Sequence, residues 1–152
     1  MKFKLTTAVA ISLGSLIALS VSASAQSAFE PAARSGELHV VKNCDNYNFQ
    51  AGGYCTIKSS NVQRLTGATV FYDQAAGVPV PPTGAMLDSN VVLYLGENDW
   101  AVGRCTLAPT SFGLCTFSDG VGKLAGFQAR LRVAPAASGG NDYTWDGPYS
   151  FF

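Results

Sequence analysis

Three groups of side chains are of the types that do chemistry inside an apolar pocket. Tyr72 and Asp73 end the run A-T-V-F-Y-D, Arg104 sits among small apolar residues after Trp100, and Glu97 with Asp99 precedes that tryptophan. A phenol beside a carboxylate can pass or accept a proton, and a guanidinium can anchor a carboxylate or enolate on a ligand. Alternation by two puts Trp100, Val102, Arg104 and Thr106 on one face of an extended strand. An unpaired arginine inside an apolar interior is costly, so that face is expected to point outward; in the alternative, with the face inward, Arg104 anchors the ligand. Tyr72, Asp73, Trp100 and Arg104 are the candidate ligand-binding residues, and no set of them forms a catalytic constellation.

Other familiar constellations are absent from the sequence. His39 is the only histidine, and no G-x-S-x-G elbow accompanies it as a nucleophile would require. D-G-V-G-K at residues 119–123 lacks the spacing of a phosphate-binding loop and reads as a hairpin turn. Asp45, Asn46 and Asn48 lack the ligand series of a calcium loop. The four cysteines, Cys44, Cys55, Cys105 and Cys115, have neither C-x-x-C spacing nor histidine partners, so no metal site is expected. No cofactor is expected either. An even cysteine count in an exported chain reads as disulfides. Of the three pairings, Cys44–Cys55 and Cys105–Cys115 are favoured, because each pair brackets a short turn-bearing segment.

Export itself is read from residues 1–25. Lys2 and Lys4 lead into an apolar run, and Ala23-Ser24-Ala25 fits a small-x-small cleavage site. This is the anatomy of a signal peptide, and the run falls short of the roughly 20 apolar residues of a spanning helix. The expected product is periplasmic or secreted, with no membrane span after cleavage. The chain has ten basic and ten acidic residues, and losing Lys2 and Lys4 leaves a small acidic excess, which disfavours nucleic acid as a partner.

Residues 26–36 form a flexible lead-in, and residues 37–152 one domain. Extended runs are predicted at 37–43, 54–59, 68–73, 90–95, 100–107, 114–118 and 123–133, with a last one toward the C-terminus. In the seventh, Phe127, Ala129, Leu131 and Val133 fall on one face and Gln128, Arg130 and Arg132 on the other, the pattern of a half-buried strand. Residues 74–87 carry Pro79, Pro81 and Pro82 and cannot form a central strand; a loop of that length on a barrel often covers a binding mouth. About eight strands and no amphipathic helix suit an all-β, eight-stranded antiparallel β-barrel, with a β-sandwich as the alternative.

The C-terminal run G-L-C-T-F-S-D-G-V-G-K-L-A-G-F-Q-A-R-L-R-V, followed by W-D-G-P-Y-S-F, resembles the end of the allene oxide cyclase barrel-like proteins, relatives of plant allene oxide cyclases and dirigent proteins. Their turn has a G-G-x-G form; here it reads D-G-V-G. The resemblance implies an eight-stranded barrel with a mostly apolar cavity that holds a small apolar molecule. It also implies an alternative, a cyclase acting on an unsaturated epoxide or polyketide-like substrate. The catalytic groups of the plant cyclases lie nearer the N-terminus and have no match here, so no catalytic residue is carried over. An outer-membrane barrel is disfavoured, because several runs are shorter than the 9–11 residues a lipid-spanning strand needs.

Overall fold

Strand β1 (Ser35–Asn43) shows how the interior is built: Leu38, Val40 and Lys42 are buried while Glu37 and His39 are exposed. Successive side chains of a strand point to opposite faces, so one register puts one row inside. The computed structural model describes residues 34–77, 79, 81, 82 and 84–152. The expected leader, residues 1–25, and most of the lead-in lie outside the described residues.

The remaining strands are β2 (Tyr54–Ser60), β3 (Thr69–Tyr72), β4 (Leu87–Gly96), β5 (Asp99–Leu107), β6 (Gly113–Val121), β7 (Phe127–Pro135) and β8 (Asp142–Phe151). Each pairs with its neighbour in sequence, and β8 returns to β1, closing an eight-stranded antiparallel barrel. The closing ladder runs unbroken from Ser35 opposite Ser150 to Asn43 opposite Asp142. Closure leaves no edge with unpaired backbone groups, which an open sheet would present. On β7, Phe127, Ala129, Leu131 and Val133 are buried, and Gln128, Arg130 and Arg132 are exposed. No helix among the described residues is long and apolar enough to cross a membrane.

The two ends of the barrel differ. At one end, short 3-10 helices at Gln63–Leu65 and Gly122–Leu124 drop Leu65 and Leu124 into the interior, where they are 1% and 0% exposed. Arg64 joins the two turns, lying 4.2 Å over the Phe151 ring and donating to the Lys123 carbonyl at 3.1 Å. Above this plug Phe117 packs edge-on against Trp145 at 5.5 Å and against Phe127 at 5.8 Å. The connections at the other end, residues 44–53, 73–77 with 84–86, 108–112 and 136–141, surround a hollow instead. The disulfides are Cys44–Cys55 and Cys105–Cys115. Cys105 and Cys115 face each other directly across β5 and β6. Two such bonds fit an oxidising environment.

Several expected boundaries shift. β1 begins at Ser35, inside the expected lead-in, and β4 begins at Leu87, ahead of the expected residue 90. The turn expected at 119–122 starts later: Asp119, Gly120 and Val121 stay in β6, opposite Val102, Ala101 and Trp100. The strand expected from residue 123 begins at Phe127. The chain uses the intervening residues to seat Leu124, and Gly126 turns it back with φ +71°, where an added Cβ would lie 2.2 Å from the Phe152 carbonyl oxygen.

Gly103 lies where β5 shifts register against β6. A Cβ there would lie 2.3 Å from the Thr116 carbonyl oxygen and 2.6 Å from the Phe117 ring. Overpacking of this kind costs about 1–3 kcal/mol. Gly103→Ala is therefore expected to lower the unfolding free energy by that amount, seen as a lower urea midpoint with little change in slope, and an unchanged midpoint would show that the Thr116 backbone and the Phe117 ring have room to move.

Candidate functional site

The hollow end holds a cavity of about 200 Å³. That is the liquid volume of roughly seven water molecules, room for a small organic molecule. Its walls are mostly apolar, with Leu87, Leu107, Val133, Tyr47 and both disulfides contributing. Phe49, 54% exposed, stands at its rim. Ala76 and Met86 bring the proline-rich connection between β3 and β4 to the same wall.

Lys42 is the exceptional group in this lining. It occupies the inner row of β1 after Leu38 and Val40 and is 3% exposed. Its position is pinned on both sides, opposite Ile57 on β2 and Tyr143 on β8. The ammonium nitrogen donates to the Tyr72 hydroxyl and lies 4.5 Å from the Trp145 ring centroid and 5.1 Å from that of Tyr72. Among the described residues no carboxylate lies within ion-pair distance of it. Cation–π contact recovers part of the lost hydration, but burial dominates and lowers the lysine from 10.5 to about 7. A charged group held away from water favours its neutral form.

Tyr72, the last residue of β3, is 3% exposed. Burial pushes its phenol well above the ordinary value, and Tyr47 and Tyr143 nearby add to the effect. Tyr47 packs on it with ring centroids 4.6 Å apart and is itself raised to about 12 by burial; its hydroxyl donates to the Gln74 carbonyl at 3.0 Å. The site thus holds an amine that is half neutral near pH 7 beside a phenol that stays protonated. Such a pair can accept or donate a proton, attack an electrophilic carbon, or bind an oxygen.

The four sequence candidates separate in space. Tyr72 lines the cavity. Asp73, one residue on, is exposed and accepts from the Gln74 side chain at 2.7 Å. Arg104 points outward, 62% exposed, and makes a two-point ion pair with Asp88, both contacts 2.6 Å; the pair holds the carboxyl below its ordinary range. Trp100 is half-buried opposite Tyr94 and Val121, its neighbour Ala101 being the inward residue. Asp99 lies at the plugged end, accepting from the Lys123 backbone at 2.8 Å and pairing with its ammonium at 2.9 Å. His39 faces outward and contacts Asp146 at 2.9 Å.

Lys42 was not among the residues expected to do chemistry, although its signal is in the sequence. In E-L-H-V-V-K-N the lysine keeps phase with Leu38 and Val40, so the alternation that marks a strand also places this cation inside. Among the described residues no group of three or more His, Cys, Asp or Glu could hold a metal ion. At the rim, Asp142 ties the end of β8 to its neighbours. It accepts from Lys58 at 2.8 Å, Asn43 at 3.0 Å and Ser138 at 3.0 Å, and these bonds, Lys58 foremost, bring its carboxyl to about 2.

Fold and site together define a small closed antiparallel barrel, plugged at one end and hollow at the other, with one buried lysine–tyrosine pair in the hollow. Comparison with protein-family models, curated proteins and solved structures finds no match to this chain.

Two pH effects follow. Below about pH 7 the folded and unfolded chains both carry the Lys42 charge, so the desolvation cost is felt in full. It is relieved as pH rises from about 7 toward 10.5, where the unfolded chain holds a proton that the folded chain has released. Lys42→Met is expected to raise the Tm by several degrees at pH 6, with the advantage shrinking steadily by pH 9; an advantage independent of pH would mean that the amine keeps its hydration. Asp142 works in the opposite sense, because its folded value lies below the ordinary 3.8. Its stabilisation is complete above about pH 4 and lost as pH falls through about 2. Acid titration of Asp142→Asn, followed by circular dichroism, should lack that part of the wild-type decline.

Proposed function

We propose that this chain is an exported barrel protein that binds a small, largely apolar molecule in the hollow end, with one oxygen of the ligand held by Lys42 and Tyr72. The single observation that carries the reading is a concave apolar cavity with one convergent polar pair, the usual composition of a small-molecule site. The resemblance of the C-terminal run to the allene oxide cyclase barrel-like proteins supports the same reading, and the closed eight-stranded fold is the one that resemblance implies. Export agrees with the leader-like N-terminus and with the paired cysteines.

Cyclisation of an unsaturated epoxide or polyketide-like substrate is the alternative. The Lys42–Tyr72 pair favours it to the extent that a protonated amine or a phenol can stabilise the oxyanion formed as a ring opens. Size weighs against it. At about 200 Å³ the cavity falls below the roughly 300–1,000 Å³ of sites that enclose drug-sized ligands, so a long polyene would project through the rim.

The test is mass spectrometry of solvent extracts from the protein purified from its native host, with thermal-shift titration using cinnamyl alcohol as a probe of suitable size. One enriched low-mass compound and a saturable rise in Tm are expected. Lys42→Met and Tyr72→Phe should each weaken probe binding roughly tenfold or more, the usual effect of losing a hydrogen bond in a buried site. An empty extract together with no shift would remove the ligand-binding reading.

A further inference from the structure

We propose that Lys42 captures an aldehyde or ketone as a Schiff base, with Tyr72 carrying the protons, so that the ligand class of the hollow end is a small apolar carbonyl compound. This rests on the reading of the cavity as a ligand site. Geometry sets Lys42 apart from the other described lysines. Lys58 and Lys123 are 53% and 65% exposed and paired with Asp142 and Asp99 at 2.8 and 2.9 Å. Lys42 is enclosed, has a phenol as its hydrogen-bond partner, and faces an apolar cavity open to small molecules. A site meant only to hold an anion gains nothing from discharging its cation, whereas an attacking amine needs its lone pair free. The titratable groups that share the cavity with Lys42 are Tyr47, Tyr72 and Tyr143, with exposed Asp45 at the rim, where Asn141 donates to it at 2.9 Å.

The chemistry balances without a further reactant. The Nζ lone pair attacks the carbonyl carbon, a C–N bond forms, and the C=O π pair moves onto oxygen. Tyr72 gives its hydroxyl proton to that oxygen and recovers one from the nitrogen, leaving a carbinolamine. The second N–H proton follows the same route to the hydroxyl group, which leaves as water with the C–O bonding pair while the nitrogen lone pair closes C=N. Two amine hydrogens and the carbonyl oxygen depart as one water, and nothing is oxidised or reduced. Tyr72 suits the role because it stays a neutral phenol between transfers, and the apolar walls limit the water that would reverse the last step.

The experiment treats the full chain with cinnamaldehyde at near-stoichiometric concentration and sodium cyanoborohydride, which fixes an imine as a secondary amine, and maps the adduct by peptide mass spectrometry. One adduct at Lys42 is expected, formed at pH 7 at least about tenfold faster than at Lys58 or Lys123, because those ammoniums are exposed and held in ion pairs with Asp142 and Asp99. Excess cinnamyl alcohol, which has the shape but no carbonyl, should protect Lys42 and leave slow surface labelling unchanged. This control needs no variant to fold. Tyr72→Phe should slow the adduct without moving its position, and Lys42→Met should abolish it. If cinnamyl alcohol raises the Tm while Lys42 stays unmodified, the carbonyl inference falls and the binding reading stands. If neither compound acts, both fall. Labelling spread evenly over the lysines, or an adduct at Lys42 that the alcohol does not block, would also overturn the inference.

Discussion

The pairing of the first strand with the last is the constraint on which everything else depends. Nine residues of β1 lie opposite β8, from Ser35 with Ser150 to Asn43 with Asp142, and this ladder turns a meander into a closed wall. With closure, the two faces of every strand become an inside and an outside, and a slip of one residue would exchange them throughout. Lys42 is fixed by that ladder. Its backbone is held between Ile57 and Tyr143, and one register step would carry it to solvent and bring Val41 or Asn43 inside. The Asn43–Asp142 hydrogen bond secures the end of the ladder next to the cavity.

Within the closed wall the interior is divided between packing and space. Phe117, Phe127, Leu131 and Trp145 fill the middle, and Leu65 and Leu124 close the far end. Small barrels are normally filled by their own side chains in this way. The near end departs from that rule. Its inner row on β1 ends in a lysine where two strand positions earlier it carries valine, and the side chains around it leave room. Burial of that cation opposes folding, and the aromatic and disulfide-linked surroundings tolerate it. Local conflict between stability and a buried ionisable group is a common mark of a functional position.

Much of the fold was legible from alternation alone. The β7 run exposes its arginines and buries its apolar row as its sequence indicates, and the cysteine pairs follow from the short turns they bracket. The outward direction of Arg104 followed from the cost of burying it alone, and its partner Asp88 stands on the neighbouring strand, where no sequence spacing could place it. The plug was not read, because K-L-A-G runs into β7 with no proline to mark a break; Leu124 is out of phase with Phe127, Ala129, Leu131 and Val133, and only the 3-10 turn sends it inside. The site was half legible. Tyr72 was recognisable as a polar group at a strand end. Lys42 was not weighed at all, even though its phase against Leu38 and Val40 pointed inward. Asp73 was grouped with Tyr72 by nearness in sequence, although adjacency in a strand sends neighbours to opposite faces; Trp100 was grouped through the face it shares with Arg104, which is the outer one.

Both disulfides lie in the wall of the hollow end. Core packing holds the plugged half, where removing a large side chain would leave a destabilising void. The hollow half already contains a void, and covalent bonds across its strands help keep that void from collapsing or opening. Side chains such as Leu107 and Val133 can therefore be exchanged at the cavity surface with less penalty than in the plug. The lining of that end can thus change between descendants of this chain while the scaffold stays constant, so its shape and chemistry can evolve faster than the fold that carries them.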